Sequence, residues 1–143
     1  MKIEFTVPGE PRGKGRPRVC RNGHTYTPKE TASYENLVKL EYERQCPLKR
    51  FEPGTMLKMS IAAYYKIPKS ASKIKRRKML LGDLRPTKKP DMDNVIKIIA
   101  DSLNGLAYHD DAQIVSAVVD KYYDDVPRVD VYLEDVEPCG KKS

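Results

Sequence analysis

The sequence predicts a single α+β domain in which helices cover one mixed β-sheet. Alternating apolar residues mark strands near both ends and the middle of the chain, and helical apolar spacing marks segments between them. The elements follow the order β-α-β-α-α-β-β, without the strict alternation of a parallel α/β fold. The length of 143 residues suits one modest core. We therefore expect one domain over residues 1–143, with a mobile tail at 137–143.

The first half of the chain predicts a strand, a helix and a long second strand. Residues 3–7 alternate between apolar and polar side chains, and Pro8 ends this strand. Residues 27–30 read Thr-Pro-Lys-Glu, which places a capping residue before a helical proline and a capping-box glutamate. This helix should end before Pro47. Apolar residues alternate again over 56–67, which predicts the second strand.

The second half predicts two helices and two strands. Ser70 is expected to cap a basic helix that ends at Gly82. A second helix is expected over 94–103, because its apolar residues form one stripe and an Asn-Gly pair follows as a stop signal. Residues 114–120 and 128–134 have strand character and are separated by a turn, so we predict that they form a hairpin.

The charge of the chain indicates a polyanionic partner. The formal net charge is +7, but this value alone does not distinguish DNA, RNA and an anionic membrane. No stretch approaches the roughly 20 apolar residues of a membrane span, so no membrane is expected. No signal peptide is visible, and the three cysteines form no CxxC motif. We therefore expect neither zinc nor a disulfide framework, and a reducing, cytoplasmic location.

Two basic segments are candidate DNA-binding surfaces. The loop over residues 9–21 combines glycines, which let backbone N–H groups approach phosphate, with several cations. The segment 73–89 is also rich in cations and leads directly to a group of acidic residues. The DNA-binding candidates are Lys14, Arg16, Arg18, Arg76, Lys88 and Lys89. A solvated surface without a ligand is the alternative for both segments.

Acidic residues and one lysine form the candidate active site. They are Asp91, Asp93, Lys97 and Asp111, with Asp110 next to Asp111 as a weaker candidate. Pro90 favours an extended segment, so Asp91 and Asp93 should present their carboxylates on the same side. Lys97 follows Asp93 by one helical turn. A turn at the Asn-Gly pair would allow Asp111 to return beside the first two carboxylates.

Carboxylates gathered in one place require positive charge, because like charges raise each other's pKa. Mg²⁺ suits this role, since it prefers oxygen ligands and keeps part of its shell for water and phosphate. A nearby lysine would help to neutralise a phosphoryl group. The alternative is local: Asp and Asn often occur at turns and helix N-caps, where they bind backbone N–H groups.

The segment KPDMDNVIKIIADSLNGLAYHDDAQI resembles the signature of the RusA-type Holliday junction resolvases of bacteria and their phages. The matching positions are Asp91, Asp93, Asn94, Lys97, Asp101, Leu103, Asn104, Gly105, Asp110, Asp111 and Gln113. The loop sequence GKGRPR at 13–18 resembles a second element of that family. Together with the flanking strands, the resemblance covers nearly the whole chain.

The resemblance implies a homodimeric, Mg²⁺-dependent endonuclease, with Mn²⁺ as a substitute, that resolves four-way DNA junctions in recombination and repair. By position, the metal ligands would be Asp91, Asp93 and Asp111, and the essential basic residue would be Lys97. A bacterial or phage-encoded protein is implied. The roles of Asp101, Asp110 and His109 stay open.

Two other functions are compatible with the basic surface. One is a non-catalytic module that binds branched nucleic acid through its backbone, and the other is a nuclease with a different structured substrate. The binding module explains the net charge. It does not explain carboxylates in the middle of a basic surface, because they would repel DNA in the absence of a metal. The sequence therefore favours an enzyme.

Overall fold

The computed structural model describes residues 1–15 and 18–138 and shows the expected α+β fold. Its elements are β1 (Lys2–Pro8), β2 (Arg18–Val19), β3 (Thr25–Tyr26), α1 (Lys29–Gln45), β4 (Leu57–Lys66), α2 (Lys73–Leu81), α3 (Met92–Ser102), a 3₁₀ turn (Asp111–Gln113), β5 (Ile114–Asp124) and β6 (Arg128–Asp135). The predicted DNA contact Arg16 and the tail residues 139–143 lie outside the described residues, as does the side chain of Arg18. No helix of the described part has the length and apolar character needed to cross a membrane.

The main sheet has the strand order β1-β6-β4-β5. Strand β6 runs antiparallel to both β1 and β4, whereas β5 runs parallel to β4. The predicted hairpin of the last two strands is therefore wrong, because β4 lies between them. Their short connection passes over the end of β4, where the Ile67 N–H donates to the Asp124 carbonyl at 3.2 Å.

Helices cover one face of this sheet and enclose the core. Alternate residues of β1, β4 and β6 are buried beneath α1 and α3. The inward residues of β4 are Leu57, Met59, Ile61, Ala63 and Tyr65. Strand β5, at the edge of the sheet, contains no buried residue although the structure describes it completely. This edge location leaves Val115 and Val118 exposed.

The helices begin and end close to the predicted residues, with three corrections. Helix α1 begins at Lys29 with Pro28 at the N-cap, so the predicted capping box of Thr27 is wrong. Helix α2 is capped by Ser72 rather than Ser70, since the Ser72 hydroxyl accepts the Lys75 N–H at 3.2 Å. Helix α3 begins two residues earlier than expected. The β2–β3 hairpin was not predicted, because strands of two residues are too short to show an alternating pattern.

The C-terminal end of α3 is closed by buried side chains. The Ser102 hydroxyl donates to the Ile98 carbonyl at 2.6 Å, and the Tyr108 hydroxyl donates to the Ala100 carbonyl at 2.7 Å. A carbonyl in the last turn of a helix has no intrahelical partner of its own. Tyr108 therefore supplies the hydrogen bond that Ala100 needs inside the core.

We expect Tyr108→Phe to lower the free energy of unfolding by about 1–3 kcal/mol, because the buried Ala100 carbonyl loses its donor. Tyr34→Phe is the matched control. The Tyr34 hydroxyl is buried and has no hydrogen-bond partner among the described residues, so its removal should cost little. Urea denaturation of both variants measures the difference. Equal losses of stability would contradict this role of Tyr108.

Candidate active site

The start of α3 presents two carboxylates to solvent. Asp91 is the N-cap residue, with φ −69° and ψ 154°, and its carbonyl accepts the Val95 N–H at 3.0 Å. The Asp91 carboxylate makes no capping hydrogen bond with any described residue. Asp93 lies in the first helical turn, so the prediction that Asp91 and Asp93 share an extended segment is wrong. Because capping does not occupy the Asp91 carboxylate, it is free for another ligand.

The sheet holds the segment that leads into α3. The Tyr65 hydroxyl at the end of β4 donates to the Pro90 carbonyl at 2.7 Å. The Lys121 ammonium of β5 donates to the Lys88 carbonyl at 2.6 Å. These two bonds attach residues 88–90 to the C-terminal ends of two parallel strands. Asp91 therefore follows an anchored segment, while Lys88 and Lys89 keep exposed side chains beside it.

The basic loop packs against the same end of α3. The Lys14 N–H donates to the Asn94 carbonyl at 3.1 Å. Gly13 lies so close to the helix that an added Cβ would be 3.0 Å from the Cβ atoms of both Asn94 and Pro90. A cleft of about 380 Å³ beside this contact is lined by Arg12, Lys14, Lys89, Asp91 and Asn94 among others. The loop thus forms one wall beside Asp91.

Lys14 is held by two carboxylates. Its ammonium lies 2.5 Å from Glu35 Oε2 and 3.3 Å from Asp101 Oδ2, and its side chain is 20% exposed. Burial lowers the pKa of Lys14, but its bonds to Glu35 and Asp101 outweigh burial and raise it. The charge predicted to contact DNA phosphate is therefore engaged in joining the basic loop to α1 and α3.

Lys97 lies in the middle of α3 with its side chain 61% exposed. Its ammonium is 3.5 Å from Asp101 Oδ2, one turn towards the C-terminus. Asp101 is therefore shared between Lys97 and Lys14. An ion pair of Lys97 with Asp93, four residues earlier, is not among those formed within residues 1–15 and 18–138.

Asp111 lies in the 3₁₀ turn before β5, where Asn104 binds it twice. Asn104 Oδ1 accepts the Asp111 N–H at 2.8 Å, and Asn104 Nδ2 donates to Asp111 Oδ2 at 3.5 Å. Burial raises the pKa of Asp111, and the neighbouring Asp101 and Asp110 raise it further against the opposing bond from Asn104. Asp101 and Asp111 are therefore close enough for their charges to interact.

Gln113 holds the same turn from its other side. Its Oε1 accepts the N–H groups of His109 and Asp110 at 3.0 and 3.1 Å. Its Nε2 donates to the carbonyls of Glu52 and Thr55, both at 3.0 Å. Asp110 and Asp111 therefore belong to a turn that precedes β5, and not to the strand itself. Sequence reasoning missed the positioning roles of Asn104 and Gln113, although both occupy signature positions.

The structure does not bring Asp111 beside Asp91 and Asp93. Asp111 is attached to the C-terminal end of α3, and Asp91 stands at its N-terminal end. The ten residues from Asp91 to Asp101 correspond to about 15 Å of helix. Strand β4 also shows that the two acidic residues lie far apart. Its first residue, Leu57, pairs with Ile114, which closely follows Asp111, whereas Tyr65 near its other end contacts Pro90, which precedes Asp91. Eight residues of strand separate these two contacts, or about 26 Å.

Among the described residues, no group of three or more His, Cys, Asp or Glu side chains is arranged to hold a metal ion. The assignment of Asp91, Asp93 and Asp111 as metal ligands stays a prediction. The DNA-binding assignments also stay predictions. Of these, Arg76 forms an ion pair with Asp125, whereas Lys88 and Lys89 flank Asp91.

Comparison with known proteins gave one family and two relatives. The family model for Endodeoxyribonuclease RusA matches residues 8–134. The uncharacterized protein YqaN of Bacillus subtilis strain 168 is 41% identical over 139 residues, which cover 94% of this chain and 96% of YqaN. The crossover junction endodeoxyribonuclease rusA of Lactococcus phage r1t is 29% identical over 142 residues, which cover 95% of this chain and 100% of the phage protein.

We expect Lys14→Met to lower the free energy of unfolding by about 1–3 kcal/mol, a value between those of exposed and buried ion pairs. The substitution leaves the Glu35 and Asp101 carboxylates without their shared cation. Lys2→Met is the control, because Lys2 is 83% exposed and lies 3.9 Å from Glu134. Urea denaturation at neutral pH measures both. Equal stability of the two variants would show that the Lys14 pairs contribute nothing.

Proposed function

The chain belongs to the RusA family of endodeoxyribonucleases, and from this we propose that it is a Mg²⁺-dependent enzyme that resolves four-way DNA junctions in recombination and repair. Mn²⁺ is expected to substitute for Mg²⁺. The name of the phage r1t relative supports a crossover junction as substrate. The observation that carries the proposal concerns Asp91 at the start of α3. Its carboxylate is exposed among basic residues and makes no hydrogen bond to the N–H groups of the helix that it precedes.

The donor atoms at this site suit a hard divalent cation. The Asp91 carboxylate has no capping partner in the described chain, and Asp93 lies exposed in the following turn. Mg²⁺ prefers carboxylate oxygens and usually takes only one or two from the protein, together with waters and phosphate. We propose that Asp91 and Asp93 hold the cation. Asp111 stays a predicted ligand, since within one chain it lies beyond the other end of α3. A bound cation supplies positive charge at the scissile phosphate and makes an attacking water more acidic.

Lys97 is suited to stabilise negative charge on the phosphoryl oxygens. Its ammonium is exposed on the same helix as Asp91 and Asp93, and Asp101 lies 3.5 Å away. This contact with the Asp101 carboxylate restricts the directions that the Lys97 side chain explores. A positioned positive charge stabilises the transition state of phosphodiester hydrolysis more than it stabilises the ground state.

Lys88 and Lys89 are suited to bind the DNA backbone beside the reacting phosphate. Both side chains are exposed, and bonds from β4 and β5 hold the main chain of this segment. Lys14 has a different role in this proposal, since two carboxylates already neutralise it. It keeps the basic loop against α3, beside the proposed site.

Two active sites in a homodimer would suit a four-way junction. Resolution requires one cut in each of two strands, and a two-fold symmetric enzyme presents the same groups to both. We therefore propose a homodimer. A non-catalytic module that binds branched DNA is the second candidate. The basic surface around Lys88 and Lys89 supports this module as well as it supports the nuclease. Only cleavage distinguishes the two.

We expect Asp91→Asn, Asp93→Asn and Asp111→Asn each to lower the rate of Mg²⁺-dependent junction cleavage by about a hundredfold or more, the cost of removing a major electrostatic interaction from a transition state. Asn preserves the shape of the side chain but removes a charged oxygen ligand. Junction binding without metal should hold or strengthen slightly, because the substitution removes a charge that repels DNA phosphates. Cleavage of a synthetic junction and metal-free gel shifts measure both effects.

Asp83→Asn is the control for these variants, because Asp83 is exposed and lies in the turn after α2. Linear duplex DNA is the control substrate. Normal cleavage by all three site variants would remove these carboxylates from the mechanism. Binding without cleavage by the unaltered protein in Mg²⁺ would support the binding module, and equal cleavage of linear duplex would indicate a different substrate.

The dependence of junction binding on salt should distinguish Lys89 from Lys14. For duplex DNA, the slope of log K against log salt changes by about 0.9 for each phosphate that the protein neutralises. We expect Lys89→Met to reduce the slope by about this amount. Lys14→Met should leave it nearly unchanged, because the charge of Lys14 is already paired. A reduced slope in Lys14→Met would mean that Lys14 binds phosphate directly.

A further inference from the structure

A second cleft lies along α1, next to the cleft that contains Asp91. Its volume is about 460 Å³, which falls within the range of about 300–1,000 Å³ for pockets that bind small molecules. Arg12 and Glu30 line both clefts, so the two meet at these residues. The second cleft, which we call the α1 cleft, is lined by Arg12, Lys29, Glu30, Ser33, Tyr34 and Leu37.

The lining of the α1 cleft changes from charged to apolar along the helix. Lys29, Ser33 and Leu37 are four residues apart, so they lie on one face of α1 in successive turns. From Lys29 to Leu37 the helix rises by about 12 Å. Both residues that the α1 cleft shares with the Asp91 cleft are charged, which places the Asp91 cleft at the charged end. A ligand that fits this gradient has an anionic part and a mostly apolar part.

The charged end of the α1 cleft has a net positive charge. Arg12 and Lys29 are exposed, and neither takes part in an ion pair formed within the described residues. These two cations outnumber Glu30, the one carboxylate that lines the cleft. Lys14 differs from them, because two carboxylates already pair with it. Unpaired cations beside the proposed active site are suited to bind a phosphate group of the DNA strand.

Tyr34 supplies an unused hydrogen-bond donor beside the α1 cleft. Tyr34 lines the cleft and is 6% exposed, and its hydroxyl forms no hydrogen bond within the described residues. Burial raises the pKa of Tyr34, although the Arg12 guanidinium and N–H lie near the hydroxyl and act to lower it. The hydroxyl is therefore protonated at neutral pH. Buried polar groups without a partner are rare, and a bound ligand or water usually accounts for them.

An unstacked nucleotide has the chemistry that this cleft requires. Its phosphate is anionic, the faces of its base are largely apolar, and the edge of its base carries hydrogen-bonding groups. Leu37 can contact a face of the base, while the hydroxyls of Ser33 and Tyr34 can bind its edge. A base within a duplex cannot enter, because stacked neighbours cover its faces. Unstacking costs least where stacking is already interrupted, as it is at the crossover of a four-way junction.

We propose that the α1 cleft binds one unstacked nucleotide next to the reacting phosphate, with its phosphate between Arg12 and Lys29 and its base beside Leu37. This inference rests on the proposed function, because it takes the junction cleaved at Asp91 as the source of the nucleotide. The strand passes from the Asp91 cleft into the α1 cleft across Arg12. The α1 cleft thereby adds a contact that continuous duplex DNA does not make, and it contributes to the choice of a junction as substrate.

The removal of single bases tests this proposal directly. Junctions with one abasic site at successive positions around the crossover are bound without metal by the unaltered protein and by Ser33→Trp, and gel shifts measure the affinities. We expect one abasic position to weaken binding by the unaltered protein about tenfold, which is typical for the loss of one base contact. The indole of Ser33→Trp fills the cleft, so this variant should bind the intact and the abasic junction equally.

Asn36→Trp is the matched control, because Asn36 is exposed on the same helix as Ser33 and is not among the residues that line the cleft. It should show the same tenfold loss as the unaltered protein. The absence of any sensitive position, or an equal loss in Ser33→Trp, would overturn the proposal. A protein that shows this base dependence but cleaves no junction in Mg²⁺ would contradict the proposed enzyme instead, so the two failures are distinguishable.

The charged end of the cleft is tested separately by Lys29→Met. Lys39→Met is its control, because Lys39 is an exposed lysine of the same helix outside the cleft. We expect Lys29→Met to reduce the slope of log K against log salt by about 0.7, the value for one phosphate of a single strand. Lys39→Met should leave the slope unchanged. Equal slopes for the two variants would overturn the phosphate contact.

Deoxyadenosine monophosphate tests a free nucleotide as the alternative source of the same chemistry. Isothermal titration calorimetry measures its binding to the unaltered protein and to Ser33→Trp. We expect only weak binding that Ser33→Trp abolishes, because a single nucleotide lacks the contacts of the rest of the junction. Binding of the free nucleotide together with no sensitive abasic position would show that the DNA strand is not the ligand, and it would overturn the proposal.

Discussion

The burial of one face of α3 is the constraint on which the rest of the site depends. Val95, Ile98, Ile99 and Leu103 are completely buried against the sheet and α1, which fixes the rotation of the helix about its axis. The opposite face must then carry Asp93, Lys97 and Asp101 at intervals of one turn. Hydrophobic packing thus determines the rotation of α3 and therefore where its charged residues lie. The charged side chains themselves contribute little to that rotation.

The charges around α3 are balanced in two different ways. Lys14 neutralises Glu35 and Asp101, which lets the basic loop pack on the helix without leaving carboxylates unpaired. Asp111 is instead held by neutral amides. Asn104 binds it directly, and Gln113 holds the turn by accepting the N–H of the neighbouring Asp110. A neutral partner fixes the position of a carboxylate without cancelling its charge, so Asp111 keeps its negative charge where it is held. Lys14 and Asp101 instead form ion pairs that join the basic loop to α3.

The length of α3 keeps the carboxylates at its two ends apart. Asp91 stands at the N-cap, where the Tyr65 hydroxyl of β4 holds the preceding residue. Asp111 is bonded to Asn104, just after the helix, in a turn that Gln113 also holds. Because hydrogen bonds fix both ends and the core fixes the middle of the helix, the two groups of carboxylates cannot meet within one chain without breaking these contacts.

The sequence by itself determined the elements of this protein and the residue types at its site. Apolar periodicity is local, so the strands over residues 3–7 and 56–67 and the helix with Lys97 were found within a few residues of their observed bounds. Pairing is not local. The last two strands were predicted as a hairpin, yet β4 lies between them, because the central position depends on which apolar faces pack together across the whole chain. For the same reason, only the tertiary structure decided that Asp111 lies at the far end of α3 from Asp91. Neighbouring signature residues share a sequence segment, but a rigid helix keeps its two ends about 15 Å apart.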